Sequence, residues 1–323
     1  MANLVEKLPQ SSKFASVTRL GLRSFLALIG MGLLQAHAAQ PSQELAGPPL
    51  YVTEQGSAKV YILGSAGGTG DDSWYTPAIR SALLSSKEFW QETPPPTAAA
   101  PPTNQEQFQK LAFRDSGSLF DGMNETEANR LIRTVQPFGI TREQLARMRP
   151  WFAAAQISIA LQGKSQGPAG QTKPPEAFLS SIAQQAHIPI HSEMATFDDY
   201  TRFMAGLSEK AQYQYLSFQL DMSELGASEM ASMDTAWAKG NVRPYDEMWA
   251  GIRKRYPDMF GAVNTDRNRA WVDRIKTMLS AGGNHFISVG LFHTLGPDSI
   301  QAQLERGGLP VHRVETVPGS ATR

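Results

Sequence analysis

Residues 61–70 read YILGSAGGTG and residues 287–296 read ISVGLFHTLG, and the two stretches look like copies of one another. Each contains an apolar run that ends at a glycine, Gly64 or Gly290, and a helix-like segment begins a few residues later. This pattern predicts a strand, a tight turn and a helix in both places. Because a glycine at a strand end lets the backbone turn sharply and lets a ligand approach closely, both glycines are candidate cofactor-binding residues.

The two copies differ three residues after the shared glycine. The second copy carries His293 there, whereas the first carries Gly67. A pair of histidines would be the signature of a metal site, and this chain has one of the two. We expect Gly67 to face His293 across one cleft, to be a third cofactor-binding glycine and to have a positive φ angle. No lysine follows this glycine-rich run, so a phosphate loop is only weakly indicated.

The strands around these copies can be predicted from short apolar runs. Residues 50–53 and 59–63 flank a glycine-containing turn and predict a β-hairpin that leads into the first copy. Residues 285–290 predict the strand that delivers His293, and residues 309–314 predict a final strand.

Two further predicted strands end in acids. Residues 89–92 end at Glu92, which could equally be a solvated loop acid. Residues 187–193 form the second strand, and the proline within it favours a sheet edge. His191 and Glu193 share one face of that strand because side chains alternate, although His191 is more often a surface residue in such a position.

The long middle section has the period and the punctuation of helices. Residues 124–281 are predicted to form a large helical insertion, in which Trp151 belongs to the core. Pro150 is expected to kink or divide one helix. Two capping-box spacings mark helix starts, at Asn124 with Glu127 and at Thr141 with Gln144.

The first 39 residues are predicted to be a signal peptide. Lys13, Arg19 and Arg23 precede an apolar run at residues 25–34, and Ala-His-Ala at residues 36–38 fits a cleavage site. An uncleaved anchor is the alternative, but the apolar run is short for a membrane span. We therefore expect a periplasmic or secreted protein.

The remaining chain is predicted to be a single domain at residues 40–314, with a Pro/Ala-rich surface loop at residues 93–103 and a disordered tail at residues 315–323. Loss of the signal peptide removes four basic residues and one acidic residue, so the formal net charge changes from 0 to −3. Such a chain has no electrostatic case for binding nucleic acid. It contains no cysteine, so its stability must come from a packed core.

Several short motifs occur in a characteristic order. They are YILGS at residues 61–65, GSLF at 117–120, MRPW at 148–151, SEM at 192–194, RN at 267–268 and VGLFH at 289–293. Over about residues 50–314 the chain resembles the TraB/PrgY/GumN family, which is related to the Tiki ectodomain and more distantly to the erythromycin-esterase and ChaN-like proteins. The resemblance and the periodicity together imply an α/β fold, in which a mixed sheet is built from two strand–turn–helix halves with a large helical insertion.

The resemblance also implies a site. In that family two G-x-x-H motifs and acidic residues are associated with a divalent metal, and Tiki proteins are described as Mn- or Co-dependent peptidases. His293 matches the second histidine, Glu92 and Glu193 match acids at strand ends, and Arg267 with Asn268 matches a polar pair before the last strand. The implied metal ligands are therefore His293, Glu92 and Glu193, for Mn, Co or Zn. The implied catalytic residues are Glu92, Glu193, Arg267 and Asn268.

The first motif departs from the family pattern, because Gly67 replaces its histidine. Loss of one imidazole should weaken metal affinity greatly, unless His191 compensates from the neighbouring strand. Two functions are therefore open. One is a metal-dependent hydrolase, most plausibly a peptidase acting on a peptide or other small substrate. The other is a catalytically degenerate member, with no cofactor, that binds a peptide, a glycan or a protein partner in the same cleft.

Overall fold

The structure, a computed structural model, describes residues 47–69, 71–93, 104–165 and 174–314. The predicted signal peptide, residues 94–103 of the predicted surface loop and the predicted tail lie outside the described residues. No helix in these described ranges combines the length and the apolar character needed to cross a bilayer.

A six-stranded mixed sheet organises the described chain. Its spatial order is β4-β3-β5-β2-β1-β6, in which β4, β3, β5 and β2 run parallel and β1 is antiparallel to both β2 and β6. The predicted α/β class with a mixed sheet is confirmed. The strands are β1 (Leu50–Gln55), β2 (Ala58–Ser65), β3 (Phe89–Gln91), β4 (Ile190–Ser192), β5 (Asn284–Gly290) and β6 (Val311–Arg313).

Helices fill the connections between these strands. Pro150 divides the helix in which it was predicted to act and becomes the first residue of a new one. The α-helices are α1 (Pro77–Leu84), α2 (Gln105–Ala112), α3 (Glu125–Val135), α4 (Arg142–Arg147), α5 (Pro150–Ser165), α6 (Pro175–Gln185), α7 (Phe197–Gly206), α8 (Glu209–Glu224), α9 (Ala227–Ala238), α10 (Arg243–Arg255), α11 (Pro257–Phe260), α12 (Arg267–Ala281) and α13 (Ile300–Arg306).

Both faces of the sheet are buried, because parallel strands carry helices on each side. On one face, Ile62 and Ile287 pack against Trp271 and Ile275 of α12 and Leu304 of α13. On the other face, the buried strand residues Leu63, Phe89 and Phe286 pack against helices from the middle of the chain. Trp237 of α9 and Trp249 of α10 belong to the same core.

The middle section also builds a core of its own. Leu131 of α3, Ile157 of α5 and Leu216 of α8 are fully buried together. Trp151 is buried, as predicted, and its indole N–H donates to the carbonyl of Leu111. The section is not purely helical, however, since β4 leaves it to join the edge of the sheet.

The two similar stretches lie next to each other as parallel strands, but one residue out of step. In the register of β2 and β5, Gly64 lies beside Val289 and Ser65 lies beside Gly290. After β5 the chain turns at once into a 3₁₀ helix at Leu291–Thr294, whereas after β2 it runs as a loop until α1. Among the described residues of that loop, Gly68 has a positive φ, at 91°, whereas Gly67 does not, contrary to the expectation.

Candidate functional site

The carboxyl ends of four parallel strands meet along one edge of the sheet. Glu193 directly follows β4, Glu92 directly follows β3, Gly290 ends β5 and Ser65 ends β2. In open α/β sheets this edge is where ligands bind. The order of the strands therefore brings both predicted acids and the glycine before His293 to the same place.

Arg267 joins the two acids. It is the first residue of α12, and its guanidinium donates from Nη2 to Glu92 Oε2 at 2.7 Å and from Nε to Glu193 Oε1 at 3.0 Å. Nη2 also donates to Glu193 Oε2, so the contact with Glu193 is bidentate. Side-chain exposure is 14% for Arg267 and Glu193 and 23% for Glu92, which makes this a largely buried ion pair network.

His293 reaches the same network from the 3₁₀ helix after β5. Its Nδ1 lies 2.5 Å from Asn268 Oδ1, and its Nε2 lies 3.4 Å from Glu92 Oε2. The Asn268 amide is oriented by its own N–H group, which donates to the carbonyl of Asp298 at 2.8 Å. Both imidazole nitrogens thus face oxygen atoms of neighbouring side chains.

A π-helical turn supports this arrangement from behind. Gly261–Asp266 is π-helical and runs directly into α12. Within it, Asn264 donates to the carbonyl of Phe292 at 3.0 Å and accepts from Asn268 Nδ2 at 3.3 Å. Insertions of this kind are frequent at functional sites.

Contacts within the network set the pKa values of Glu92 and Arg267. Burial on its own would raise the pKa of Glu92, but His293, Arg267 and the backbone N–H of Gly290 outweigh it and hold that pKa well below its usual range. Burial likewise opposes the charge of Arg267, and the carboxylates of Glu92 and Glu193 more than compensate by raising its pKa. Two carboxylates thus face the guanidinium of Arg267 and the imidazole of His293.

A divalent metal does not fit the side chains as they are placed. Both oxygens of Glu193 accept from Arg267, and those of Glu92 accept from Arg267 and Gly290. Both nitrogens of His293 are engaged as well. Within the described part of the chain, no group of three or more His, Asp or Glu residues is arranged to hold a metal ion. The metal role of Glu92, Glu193 and His293 stays a prediction.

The three predicted cofactor-binding glycines have different surroundings. A Cβ at Gly64 would lie 2.5 Å from Thr294 Oγ1, so this glycine allows close packing against the 3₁₀ helix. A Cβ at Gly67 would lie 2.7 Å from Asp234 Oδ2, and the expected pairing of Gly67 with His293 is replaced by a contact with Asp234. Gly290 alone of the three contacts the ion network, through its N–H to Glu92.

His191 does not join this network. It lies on β4 beside Trp90, with which its ring stacks at a centroid distance of 4.7 Å. Its Nε2 lies 3.3 Å from Glu88 Oε2, at the opposite end of β3 from Glu92. In this arrangement His191 therefore does not compensate for the imidazole that is missing at Gly67.

Two further acids near the end of β2 were not predicted. The carboxyl group of Glu176 in α6 bonds to Ser65 Oγ, and Ser65 Oγ also donates to the carbonyl of Val289 at 3.0 Å. The Ser65 hydroxyl group is the donor to both acceptors, as in a three-centre hydrogen bond. Burial raises the pKa of Glu176, although the bond from Ser65 acts in the opposite direction.

The second acid is Asp234 of α9. It accepts from the backbone N–H of Gly67 at 3.1 Å and from the hydroxyl group of Tyr245, and burial raises its pKa as well. Neither acid stands in a motif. The one available signal is that Ser65 and Gly67 follow a strand end, and that signal says nothing of partners 111 and 167 residues away.

Comparison with protein families identifies a relationship over most of the chain. The model of the TraB/PrgY/gumN family matches residues 49–313, which include every residue of the site described above. Neither the curated proteins nor the solved structures contain a significant match.

Proposed function

The chain belongs to the TraB/PrgY/gumN family, and from this premise we propose that it is a metal-free member that binds its ligand at the strand ends without hydrolysing it. One observation carries the proposal: the guanidinium of Arg267 bridges Glu92 and Glu193, where a divalent cation would have to bind. The ligand classes are those implied by the family, namely a peptide, a glycan or a protein partner.

A guanidinium in this position is difficult to displace. Removing one partner from a buried ion pair typically costs about 3–5 kcal/mol, because the remaining charge is left uncompensated. A metal ion would have to displace Arg267 from two carboxylates and separate His293 Nε2 from Glu92 Oε2. We infer that this network excludes a divalent ion in the natural sequence.

The same network is unsuited to proton transfer. A general base works best when its pKa is close to the working pH, whereas the pKa of Glu92 is held well below its usual range by His293 and Arg267. Glu193 is held by both of its oxygens. Binding therefore accounts for the geometry better than catalysis does.

A metal-dependent peptidase is the second candidate. It is favoured by the fact that Glu92, Glu193 and His293 come from three separate elements and still meet in one network. The two candidates differ in the behaviour of Arg267. In the metal-free protein it keeps its contacts with Glu92 and Glu193, whereas in a metal-dependent peptidase it must give them up when the metal binds.

We also propose that the protein is exported to the periplasm or secreted. The support is the order of basic residues, apolar run and Ala-His-Ala within residues 13–38. When the full chain is produced in a bacterial host, N-terminal sequencing of the exported protein should begin at Ala39 or Gln40. Accumulation in the cytoplasm with Met1 retained would contradict this part of the proposal.

The same exported sample tests whether the site is free of metal. We expect its metal content by mass spectrometry to be far below one ion per chain, and calorimetric titration with Mn²⁺, Co²⁺ or Zn²⁺ to show no stoichiometric binding. Arg267→Met should gain divalent-ion binding because it leaves two facing carboxylates. Arg269→Met is the matched control, since Arg269 is exposed and pairs only with Asp266 among the described residues.

Peptidase activity decides between the two candidates. The natural sequence should release no fragments from a mixture of unstructured peptides, with or without added Mn²⁺. Stoichiometric metal together with metal-dependent cleavage in the natural sequence would overturn the metal-free proposal and establish the peptidase.

A further inference from the structure

A cavity of about 590 Å³ lies beside the ion network, between α12 and the edge of the sheet. We call it the α12 groove. Glu88, Trp90 and Glu92 alternate along β3 and so project from one face. Glu92 belongs to the ion network, whereas Glu88 and Trp90 line the groove. The residues that line the groove are Lys87, Glu88, Trp90, Ala270, Asp273, Arg274, Thr277, Met278, Ala281 and His285.

Helix α12, like β3, contributes one residue to the ion network and another to the groove. Arg267 and Arg274 are seven residues apart, which is about two helical turns, so both face the sheet. Arg267 contacts Glu92, whereas the Cζ atom of Arg274 lies 4.3 Å from the centroid of the Trp90 ring. The groove is therefore a second chemical environment along the same strand and the same helix.

Arg274 is held in place without an anion. Its guanidinium lies over Trp90 and within 5.5 Å of the Trp271 ring centroid, in cation–π contacts. No carboxylate among the described residues forms an ion pair with it. A planar guanidinium fixed in this way keeps its N–H donors free for a carboxylate, which it can bind with two parallel hydrogen bonds.

Neither of the two acids that line the groove forms an ion pair with the guanidinium of Arg274. Glu88 is engaged by two imidazoles, with His285 Nδ1 at 2.6 Å from Oε1 and His191 Nε2 at 3.3 Å from Oε2. Asp273, the other lining acid, lies 3.9 Å from Lys276 Nζ and forms no ion pair with Arg274. The guanidinium of Arg274 is thus left to one further carboxylate, which matches a monocarboxylate.

We propose that the α12 groove binds a small organic monocarboxylate, with its carboxylate on Arg274 and its apolar part against Trp90 and Met278. The volume is within the range of about 300–1,000 Å³ that small-molecule sites occupy. Trp90, Ala270, Met278 and Ala281 supply the apolar wall. This inference goes beyond the proposed function and does not depend on whether the ion network holds a metal.

The test uses 4-fluorobenzoate as the probe and ¹⁹F NMR as the measurement, with the full exported protein. We expect saturable binding with a Kd of about 1 mM or tighter. The neutral isostere 4-fluorobenzamide, which lacks the charge that Arg274 recognises, should bind about tenfold more weakly. Equal binding of the two compounds, or no saturable binding of 4-fluorobenzoate, would overturn the proposal.

Two variants locate the probe. Arg274→Met should weaken 4-fluorobenzoate binding about tenfold, whereas Arg269→Met on the same helix should leave it unchanged. Thr277→Phe keeps the guanidinium but fills the groove, and should also abolish binding. Binding that survives both Arg274→Met and Thr277→Phe would place the probe elsewhere and refute the site.

A third variant separates this inference from the proposed function. Arg267→Met alters the ion network and leaves the lining of the groove intact, so 4-fluorobenzoate should bind it as it binds the natural sequence. A loss of binding in Arg267→Met alone would assign the probe to the ion network and not to the groove.

Discussion

The two sides of the strand-end edge treat their carboxyl groups in opposite ways. At the end of β3, Glu92 meets Arg267 and His293, which lower its pKa in spite of burial. Near the end of β2, Glu176 and Asp234 meet hydroxyl groups and, for Asp234, a backbone N–H, and burial raises the pKa of both. One side is held together by ion pairs, and the other by hydrogen bonds that neutral groups donate to the carboxyl oxygens.

This difference shows that burial alone does not decide the charge of a carboxyl group. The same desolvation acts on both sides, and the presence or absence of a cation within reach determines the result. Gly67 stands on the side without a cation, at the position where the family pattern has a histidine. The missing imidazole is thus not replaced by another cation among the described neighbours of Gly67, whose nearest side chain is Asp234.

Removing the cation from the charged side should have the largest effect. In Arg267→Met, Glu92 and Glu193 face each other without compensation, and we expect the free energy of unfolding to fall by about 3 kcal/mol at pH 7. Urea denaturation measures this change. The double variant Arg267→Met/Glu193→Gln should recover part of the loss, because only one buried charge remains.

Arg269→Met provides the comparison on the same helix. Its side chain is 65% exposed, so its removal should change stability by no more than about 0.5 kcal/mol. If Arg267→Met were as mild as Arg269→Met, the ion network would contribute little and the contrast between the two sides would fail.

A packing variant tests whether Gly64 is needed for the close approach of the 3₁₀ helix at Leu291–Thr294. In Gly64→Ala the new Cβ would lie 2.5 Å from Thr294 Oγ1, and we expect a loss of about 2 kcal/mol from overpacking. Thr294→Ala should restore most of that loss in the double variant, as measured by thermal and urea unfolding. Gly251→Ala in α10 is the control, since a Cβ added there would meet no atom of another element within 4 Å and stability should not fall.

The smallest effect on stability should come from replacing Glu176, near the end of β2. The pKa of Glu176 is raised in the folded state, so its contribution to stability is fully present below its ordinary value of 4.5 and is lost as the pH rises through the folded-state pKa. Glu176→Gln keeps an oxygen that can accept from Ser65 and cannot ionise. The variant should therefore be more stable than the natural sequence at alkaline pH and similar to it below pH 4.5.

Urea denaturation at several pH values measures that difference, with the exposed Glu305→Gln as the control. A gain that is independent of pH, or one that appears also in Glu305→Gln, would show that a raised pKa of Glu176 does not limit stability at alkaline pH.

The members of the ion network could be predicted from the sequence, whereas their pairing could not. Glu92, Glu193 and His293 follow strand ends, and Arg267 with Asn268 stands in a family motif. Strand ends in a parallel sheet converge, so a local pattern was enough to bring these residues together. The contacts of Arg267 span 74 residues to Glu193 and 175 to Glu92, and no local pattern specifies which side chains meet over such separations.

The same limit explains the differences on the β2 side. The expectation that Gly67 faces His293 rested on aligning two similar stretches, but pairing in the sheet offsets β2 from β5 by one residue. The loop after β2 is then occupied by Asp234 and Glu176, which come from α9 and α6 in the helical section. Their arrival depends on how that section folds back over the sheet, which hydrophobic periodicity does not reveal.

The π-helical turn at Gly261–Asp266 sets the rotational phase of α12. Successive residues of an α-helix are rotated by about 100°, so shortening this turn by one residue would swing Arg267 and Arg274 away from the sheet together. The ion network and the α12 groove are thereby tied to a single angular setting, and a length change of one residue upstream would alter both at once without touching either.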